Sequence, residues 1–367
     1  MEQLKTCPLK RTVLYEKHAL LGAKLVEFAG WQMPVQYTSL IQEHLAVRQH
    51  VGIFDVSHMG RILVQGPEAE RFLDYLCTNK IADKSNFSAT YTVLCREDGY
   101  CVDDVIVYKQ DPHHFFVIAN AGNRQKDLDH LKKEAQAFTV EIQDRYDTEG
   151  ILAIQGPSAH PLLLQLFPEA LNLKPMHFMM ASYRDQPIIL SGTGYTGAGG
   201  FEIYAPNGLI PQLWDLFLTE GKSYQIQPIG LGARDTLRLE MGYALYGHEI
   251  SESIAPIESV SAWTVKWDKK DFLGKEALQK LQQKETKRSE YGIVLSDKGI
   301  AREGYEVFRE DKKIGTVTSG TMSPSLQKAI AIVLVEERLQ EGDYVEVQIR
   351  QQRVKAQVVK LPFWKLR

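Results

Sequence analysis

Two adjacent carboxylates, Asp103 and Asp104, interrupt an otherwise apolar run from Val102 to Tyr108. Read as a strand, the run sends successive side chains to opposite faces, so the two acids cannot serve one site equally. A carboxylate aimed into an apolar pocket needs partners there, and such positions are often functional. Capping of a hairpin by one Asp and solvation of the other accounts for the same residues equally well.

A second constellation, Gly192-Thr193-Gly194-Tyr195-Thr196-Gly197, matches the dinucleotide fingerprint G-x-G-x-x-G. That chemistry requires a helix immediately afterwards, whose N-terminus receives the pyrophosphate. Here the chain continues through Ala198 and Phe201-Glu202-Ile203-Tyr204 with strand-like alternation, so the glycines make a hairpin and a dinucleotide site is rejected. The hairpin presents the flat Tyr195 ring and, on its return strand, the Glu202 carboxylate. A carboxylate can take two hydrogen bonds from a flat group with adjacent N–H donors, such as the edge of a reduced pterin. A solvated strand glutamate is the commoner meaning of the residue type alone.

Arg234 and Arg238, four apart in a predicted helix, share a face. They could clamp carboxylates or pair internally with Asp235 and Glu240, which is the usual use of such charges. His58 has Asp55 and Ser57 as sequence neighbours, but nucleophilic triads are assembled from distant segments, so a loop histidine satisfied by backbone is expected. Cys7, Cys77, Cys95 and Cys101 form no Cys-x-x-Cys pair and lack nearby His at zinc spacing, which points to free thiols in a reducing compartment and to no metal site.

The elements that must position these groups are legible as periodicities. Tyr91 to Leu94, a turn at Glu97-Asp98-Gly99, and Cys101 to Lys109 read as a hairpin, followed by a strand over Phe115 to Ala119. Gly122 to Phe138 reads as an amphipathic helix with Leu128, Leu131, Ala135 and Phe138 on one face, and Gly230 to Gly242 as another helix, bounded by glycines. Lys269 to Lys287 reads as a charged connecting helix, and the basic cluster Lys284 to Arg288 as a solvated face. Gln65-Gly66-Pro67 and Gln155-Gly156-Pro157 each join a strand to a helix, with Gly allowing the sharp turn and Pro suited to the first helical position. This repetition predicts two related α+β units with helices packed on antiparallel sheets. Beyond about Arg288 short alternating strands (Gly315 to Ser319, Ala329 to Val335, Tyr344 to Arg350, Val354 to Val358) predict an antiparallel barrel or sandwich.

The chain has 367 residues, 44% hydrophobic and 24% charged, with a formal charge of −3. That suits a multi-domain globular protein and argues against one built to neutralise nucleic-acid phosphates. The segment Met1 to His18 lacks a signal-peptide core and no apolar run approaches a membrane span, so a soluble, cytoplasmic protein without a membrane partner is expected.

Taken in order, Phe28-Ala29-Gly30-Trp31, Phe54-Asp55-Val56-Ser57-His58-Met59, Asp103-Asp104, Asn120-Ala121-Gly122, Gly194-Tyr195-Thr196-Gly197, Gly232-Ala233-Arg234-Asp235-Thr236-Leu237-Arg238-Leu239-Glu240, Asp271-Phe272-Leu273-Gly274 and Ser323-Pro324-Ser325-Leu326 resemble the glycine-cleavage T-proteins. No single motif is specific, but the ordered set covers the chain. The resemblance implies a multi-lobed α+β fold around a central folate channel. A catalytic region over 1–285 would hold two interwoven units, the second at roughly 52–140, and a C-terminal β-barrel would span 286–367. It implies transfer of a methylene unit from the aminomethylated lipoyl arm of H-protein to tetrahydrofolate, releasing ammonia, in glycine catabolism. It assigns Asp104 as the catalytic carboxylate, Glu202 as acceptor of the pterin edge, Arg234 as a folate contact, and Tyr195, Tyr91, Asn120 and Met59 as channel lining. Two departures stand out. Ala198-Gly199 replaces an acidic residue after Tyr-Thr-Gly, and Trp364 is the candidate for a late aromatic that relatives contribute to folate. The alternatives are a non-catalytic or differently specific folate-binding paralogue, and a demethylating relative, whose fused flavoprotein oxidase has no dinucleotide motif here.

Overall fold

The computed structural model describes residues 8–284 and 288–365. Cys7, part of the Met1 to His18 segment and the predicted boundary at residue 285 lie outside the described residues.

The hairpin that carries the paired acids is Ser88–Cys95 against Cys101–Asp111, in register Val93 with Asp104 and Leu94 with Asp103. Its turn is permitted by Gly99 at φ 83°. These two strands belong to a five-stranded sheet completed by His114–Ala119, Gly60–Gln65 and Glu141–Asp144, antiparallel throughout. Helices Ala69–Leu76 and Arg124–Glu134 cover one face, burying Phe72, Leu73, Leu128 and Leu131 against Val105, Val107 and Phe115. The predicted helix from Gly122 is thus shorter, with Ala135–Ala137 as a 3₁₀ turn that still packs Phe138 on the same core.

A second sheet has six strands, ordered Phe178–Tyr183, Gln186–Ser191, Gly200–Pro206, Glu149–Gln155, Val51–Asp55 and Ile226–Pro228. The glycine-rich segment is a connection between antiparallel neighbours, with Ser191 opposite Glu202, and a strand rather than a helix follows it. The pairing of Ile226–Pro228 with Val51–Asp55 is parallel, a departure from the expected antiparallel sheets. At the repeated Gly-Pro turns, Gly66 and Gly156 have φ of 137° and 131°, and a Cβ on Gly156 would fall 2.4 Å from the His50 carbonyl. Their helices begin at Ala69 and Ala159, so each Pro lies in the turn before the helix rather than at its first position.

The charged connector is helical only over Lys275–Gln282. Its predicted first turn is drawn into the core instead. Phe272 is buried, and Lys269 Nζ donates to the carbonyls of Asp74, Cys77 and Asn79 at the end of helix Ala69–Leu76. Of the basic cluster, Arg288 pairs with Glu258 at 2.7 Å instead of facing solvent alone. Six antiparallel strands from Ser289–Leu295 to Gln352–Val359 close into a barrel, filled by Ile293, Val307, Val333 and Val347.

The barrel braces helix Leu231–Glu240 from behind. Leu239 packs on Ile330 and Ile332, Glu240 accepts hydrogen bonds from Ser323 and Ser325, and Arg238 donates to Ser319 at 2.8 Å. Cys77, Cys95 and Cys101 are buried free thiols, with burial pushing their pKa values up. No described helix is long and apolar enough to cross a membrane.

Candidate active site

The two large sheets, helix Leu231–Glu240 and the loops at 242–246 and 260–263 wall a cavity of about 630 Å³, within the range of small-molecule sites. Asp104, Glu202, Arg234, Tyr195, Tyr91, Asn120 and Met59 all lie on its wall. Among the described residues no barrel residue does, so the barrel acts on the site through the segments it supports, chiefly helix Leu231–Glu240 and also Val260, whose N–H donates to Glu290 at 2.7 Å.

Strand alternation separates the paired acids. Asp103 is fully buried on the helix side of the sheet, while Asp104 faces the cavity. Asp104 accepts from the Tyr91 hydroxyl at 2.9 Å and from Asn120 Nδ2 at 2.9 Å. Tyr91 also meets Ser261 Oγ at 2.9 Å and stacks on Trp263. Burial, and after it the charge of Asp103, pushes the Asp104 pKa up to about 7, against the pull of Tyr91 and Asn120. A carboxyl poised there can hold or release a proton near neutral pH.

On the opposite sheet, Glu202 Oε2 accepts from Thr193 Oγ1 at 2.5 Å and from the Tyr204 hydroxyl at 2.9 Å. Tyr108 reinforces the set through its 2.6 Å contact with the Tyr204 hydroxyl. These donors orient the carboxylate, and Oε1 has no partner among the described hydrogen bonds. Glu202 therefore is no solvated strand residue.

The two arginines divide. Arg238 is buried and pairs with Asp235 at 2.9 Å and Glu249 at 2.8 Å. Glu240, the other expected partner, instead binds Arg48 and His44. Arg234 has no carboxylate partner among the described ion pairs. Its guanidinium lies 4.7 Å from the Tyr195 ring centroid, and burial lowers its pKa. A cation held in this way is a standing attraction for an anion. Tyr195 is fixed by donation to the Ala244 carbonyl and by stacking on Tyr243.

Two expectations need correction. His58 is not satisfied by backbone. It is buried on the cavity wall, its Nδ1 has no partner among the described residues, and its ring meets Phe28 edge-on at 5.7 Å. Burial, and next the Arg234 charge, lower its pKa to about 4, so it is neutral at physiological pH. Trp364 is not in the cavity either, because its ring lies 3.8 Å from the Arg48 guanidinium. The tryptophan at the cavity is Trp263, 59% exposed beside Tyr91. It stands in a short 3₁₀ turn with no periodicity to mark it. Ala198 packs in the core away from the wall, so the Ala198-Gly199 departure does not touch the site.

This is an α+β architecture with two large sheets, a buttressing barrel and a central ligand-sized cavity carrying an acid poised near neutrality. The model of the GCVT N-terminal domain matches residues 14–269, and that of the glycine cleavage T-protein C-terminal barrel domain matches 288–365. The chain is 43% identical over 360 residues to the aminomethyltransferase of Thermosipho melanesiensis, covering 97% of this chain and 98% of that one. It is 42% identical over 359 residues to that of Thermotoga maritima, with the same coverage. The crystal structure of the glycine cleavage system aminomethyltransferase T from Bartonella henselae superposes with a TM-score of 0.90 at 34% identity, covering 97% of this chain and 98% of that one. The chain belongs to the glycine-cleavage T-protein family, the aminomethyltransferases.

Proposed function

We propose that the cavity receives tetrahydrofolate as one-carbon acceptor and that the lipoyl arm of an H-protein delivers the aminomethyl group to it. As an aminomethyltransferase of the glycine cleavage system, the chain transfers the methylene unit to tetrahydrofolate. The products are 5,10-methylenetetrahydrofolate, ammonia and the dihydrolipoyl carrier. A non-catalytic paralogue is not favoured.

The observation that carries the site assignment is the arrangement around one cavity of two held carboxylates and one uncompensated guanidinium. Glu202, locked through Oε2, keeps Oε1 for the N–H donors of the pterin edge. Arg234 supplies positive charge for an anionic or electron-rich part of the same ligand. Asp104, held by Tyr91 and Asn120, sits where it can orient the reacting ring nitrogen and hold a proton beside it. Its contribution is placement and electrostatics, not a covalent bond. Tyr195 and Met59 furnish wall surface. His58, neutral and unpartnered at Nδ1, adds a polar edge without adding charge. A cytoplasmic location and a division into 1–285 and 286–367 belong to the same proposal.

The test is ammonia release from aminomethylated H-protein with and without tetrahydrofolate. Release that ignores folate, or no release at all, overturns the assignment.

A further inference from the structure

Behind Asp104, on the far side of its strand, lies a second acidic group that the transfer reaction as described leaves unused. Helix Arg124–Glu134 packs there, and its Asp127 is fully buried, one turn beyond Asn123. Neither Asp127 carboxyl oxygen meets an N–H or O–H donor among the described residues. The group Asp127 faces is the carboxylate of Asp103, whose Oδ1 takes Nδ2 of Asn123, one turn earlier on the same face of the helix, at 2.6 Å. Asp103 is richly supplied, accepting from the Asn120 backbone N–H at 3.0 Å, Asn120 Nδ2 at 2.9 Å and Asn123 Nδ2 at 2.6 Å. No Lys, Arg or His pairs with Asp103, Asp104 or Asp127 among the described ion pairs. The neighbouring cation, Lys126, turns away to Tyr246 and Glu252.

Two carboxyl groups in contact cannot both ionise in a buried space without a cation, and they form a hydrogen bond only if one holds a proton. Donors decide which. Asp103 has three N–H groups that favour its charged form, and Asp127 has none. We propose that Asp103 and Asp127 share one proton, resident on Asp127, and that this pair is the positioning device that holds Asp104 between its charged and neutral forms. The second half rests on Asp104 being the catalytic carboxylate.

The chain of effects runs through charge. Asp127 as an acid donates to Asp103, and Asp103 stays anionic. Asp103's charge, next in sequence, opposes ionisation of Asp104, while Tyr91 and Asn120 favour it. Of the other groups nearby, Tyr195 faces Asp104 across the cavity and Cys101 lies on its own strand. Lys126 and Tyr246 act on the pair from the helix and the adjoining loop.

Infrared spectroscopy tests the shared proton without any turnover. At pH 8, the Asp104→Asn protein minus the Asp104→Asn/Asp127→Asn protein is expected to show one carboxylic-acid carbonyl band. Glu290, another buried carboxyl whose pKa burial pushes up, is common to both proteins and cancels in that difference. No band in the difference overturns the proposal. The pH profile of kcat/KM tests the second half. Asp103→Asn removes the neighbouring charge and is expected to move the Asp104 limb down by about one pH unit. Asp127→Asn, neutral like the acid it replaces, is expected to leave that midpoint in place. A shift in Asp127→Asn equal to that of Asp103→Asn would mean Asp127 is charged, and the proposal fails. A fully active Asp104→Asn enzyme sinks the reading of Asp104 and with it the second half, while the infrared difference still judges the shared proton.

Discussion

Asn120 Nδ2 lies 2.9 Å from Asp104 Oδ1, and the same amide reaches Asp103 Oδ1 at 2.9 Å. One neutral side chain therefore bridges the cavity face and the helix face of a single strand. It links a carboxyl that a ligand can touch to one that no ligand can reach, without adding a charge that would fix either.

Asp104→Asn keeps the shape and the Tyr91 contact but removes the titrating group. Turnover is expected to fall by roughly a factor of a hundred or more, with the fold and much of the folate binding retained, if orientation and charge both act in the transition state. Steady-state ammonia release with circular dichroism checks this. Near-normal turnover there, with Asp103→Asn inactive, would assign the chemistry to the other neighbour.

Glu202→Gln can keep its oxygen on Thr193 and Tyr204, which leaves an N–H₂ facing the cavity where an acceptor is needed. Leaving ligand donors unmatched costs on the order of 1.5–3 kcal/mol, so tetrahydrofolate should bind about ten- to a hundredfold more weakly. Anaerobic calorimetric titration measures it. Parent-like binding in both Glu202→Gln and Glu202→Ala would remove Glu202 from the site.

The arginines should separate binding from stability. Arg238→Gln strands Glu249 as a buried anion, and breaking such a pair costs about 3–5 kcal/mol, seen as a lower Tm. Arg234→Gln strands no carboxylate, so its Tm should hold or rise while tetrahydrofolate affinity drops. Equal losses of Tm in the two variants would contradict the division.

His58 predicts an acid limb of stability. Its folded pKa of about 4 lies below the ordinary 6.5, so between these values the unfolded chain binds more protons than the folded one. Stability from this group is therefore complete above pH 6.5 and declines as pH falls toward 4. The decline amounts to at most about 3 kcal/mol at 1.36 kcal/mol per unit. Denaturant titrations from pH 4 to 7.5 should show His58→Gln with the flatter profile. Parallel profiles would refute the burial argument.

Much of the fold can be read along the chain because it rests on local periodicity. Alternation placed Asp103 and Asp104 on opposite faces, and the strand after Gly197 ruled out a dinucleotide loop. The glycines at 230 and 242 bracketed helix Leu231–Glu240, and the short strands after Arg288 marked the barrel. The ordered motifs indicated seven side chains that share one cavity. Periodicity carries no information about which distant segments meet, and there the readings gave out. Arg238 takes Glu249 rather than Glu240, because the barrel approaches from behind and its Ser323 and Ser325, with Arg48 and His44, occupy Glu240. Trp364 is captured by Arg48, and Trp263, from a segment without pattern, lies beside Tyr91. The orphan nitrogen of His58 and the meeting of Asp103 with Asp127 likewise depend on which surfaces the packed lobes bring together. Burial then turns those meetings into shifted protons, since only the closed interior removes the water that would otherwise level every carboxyl and imidazole to its ordinary value.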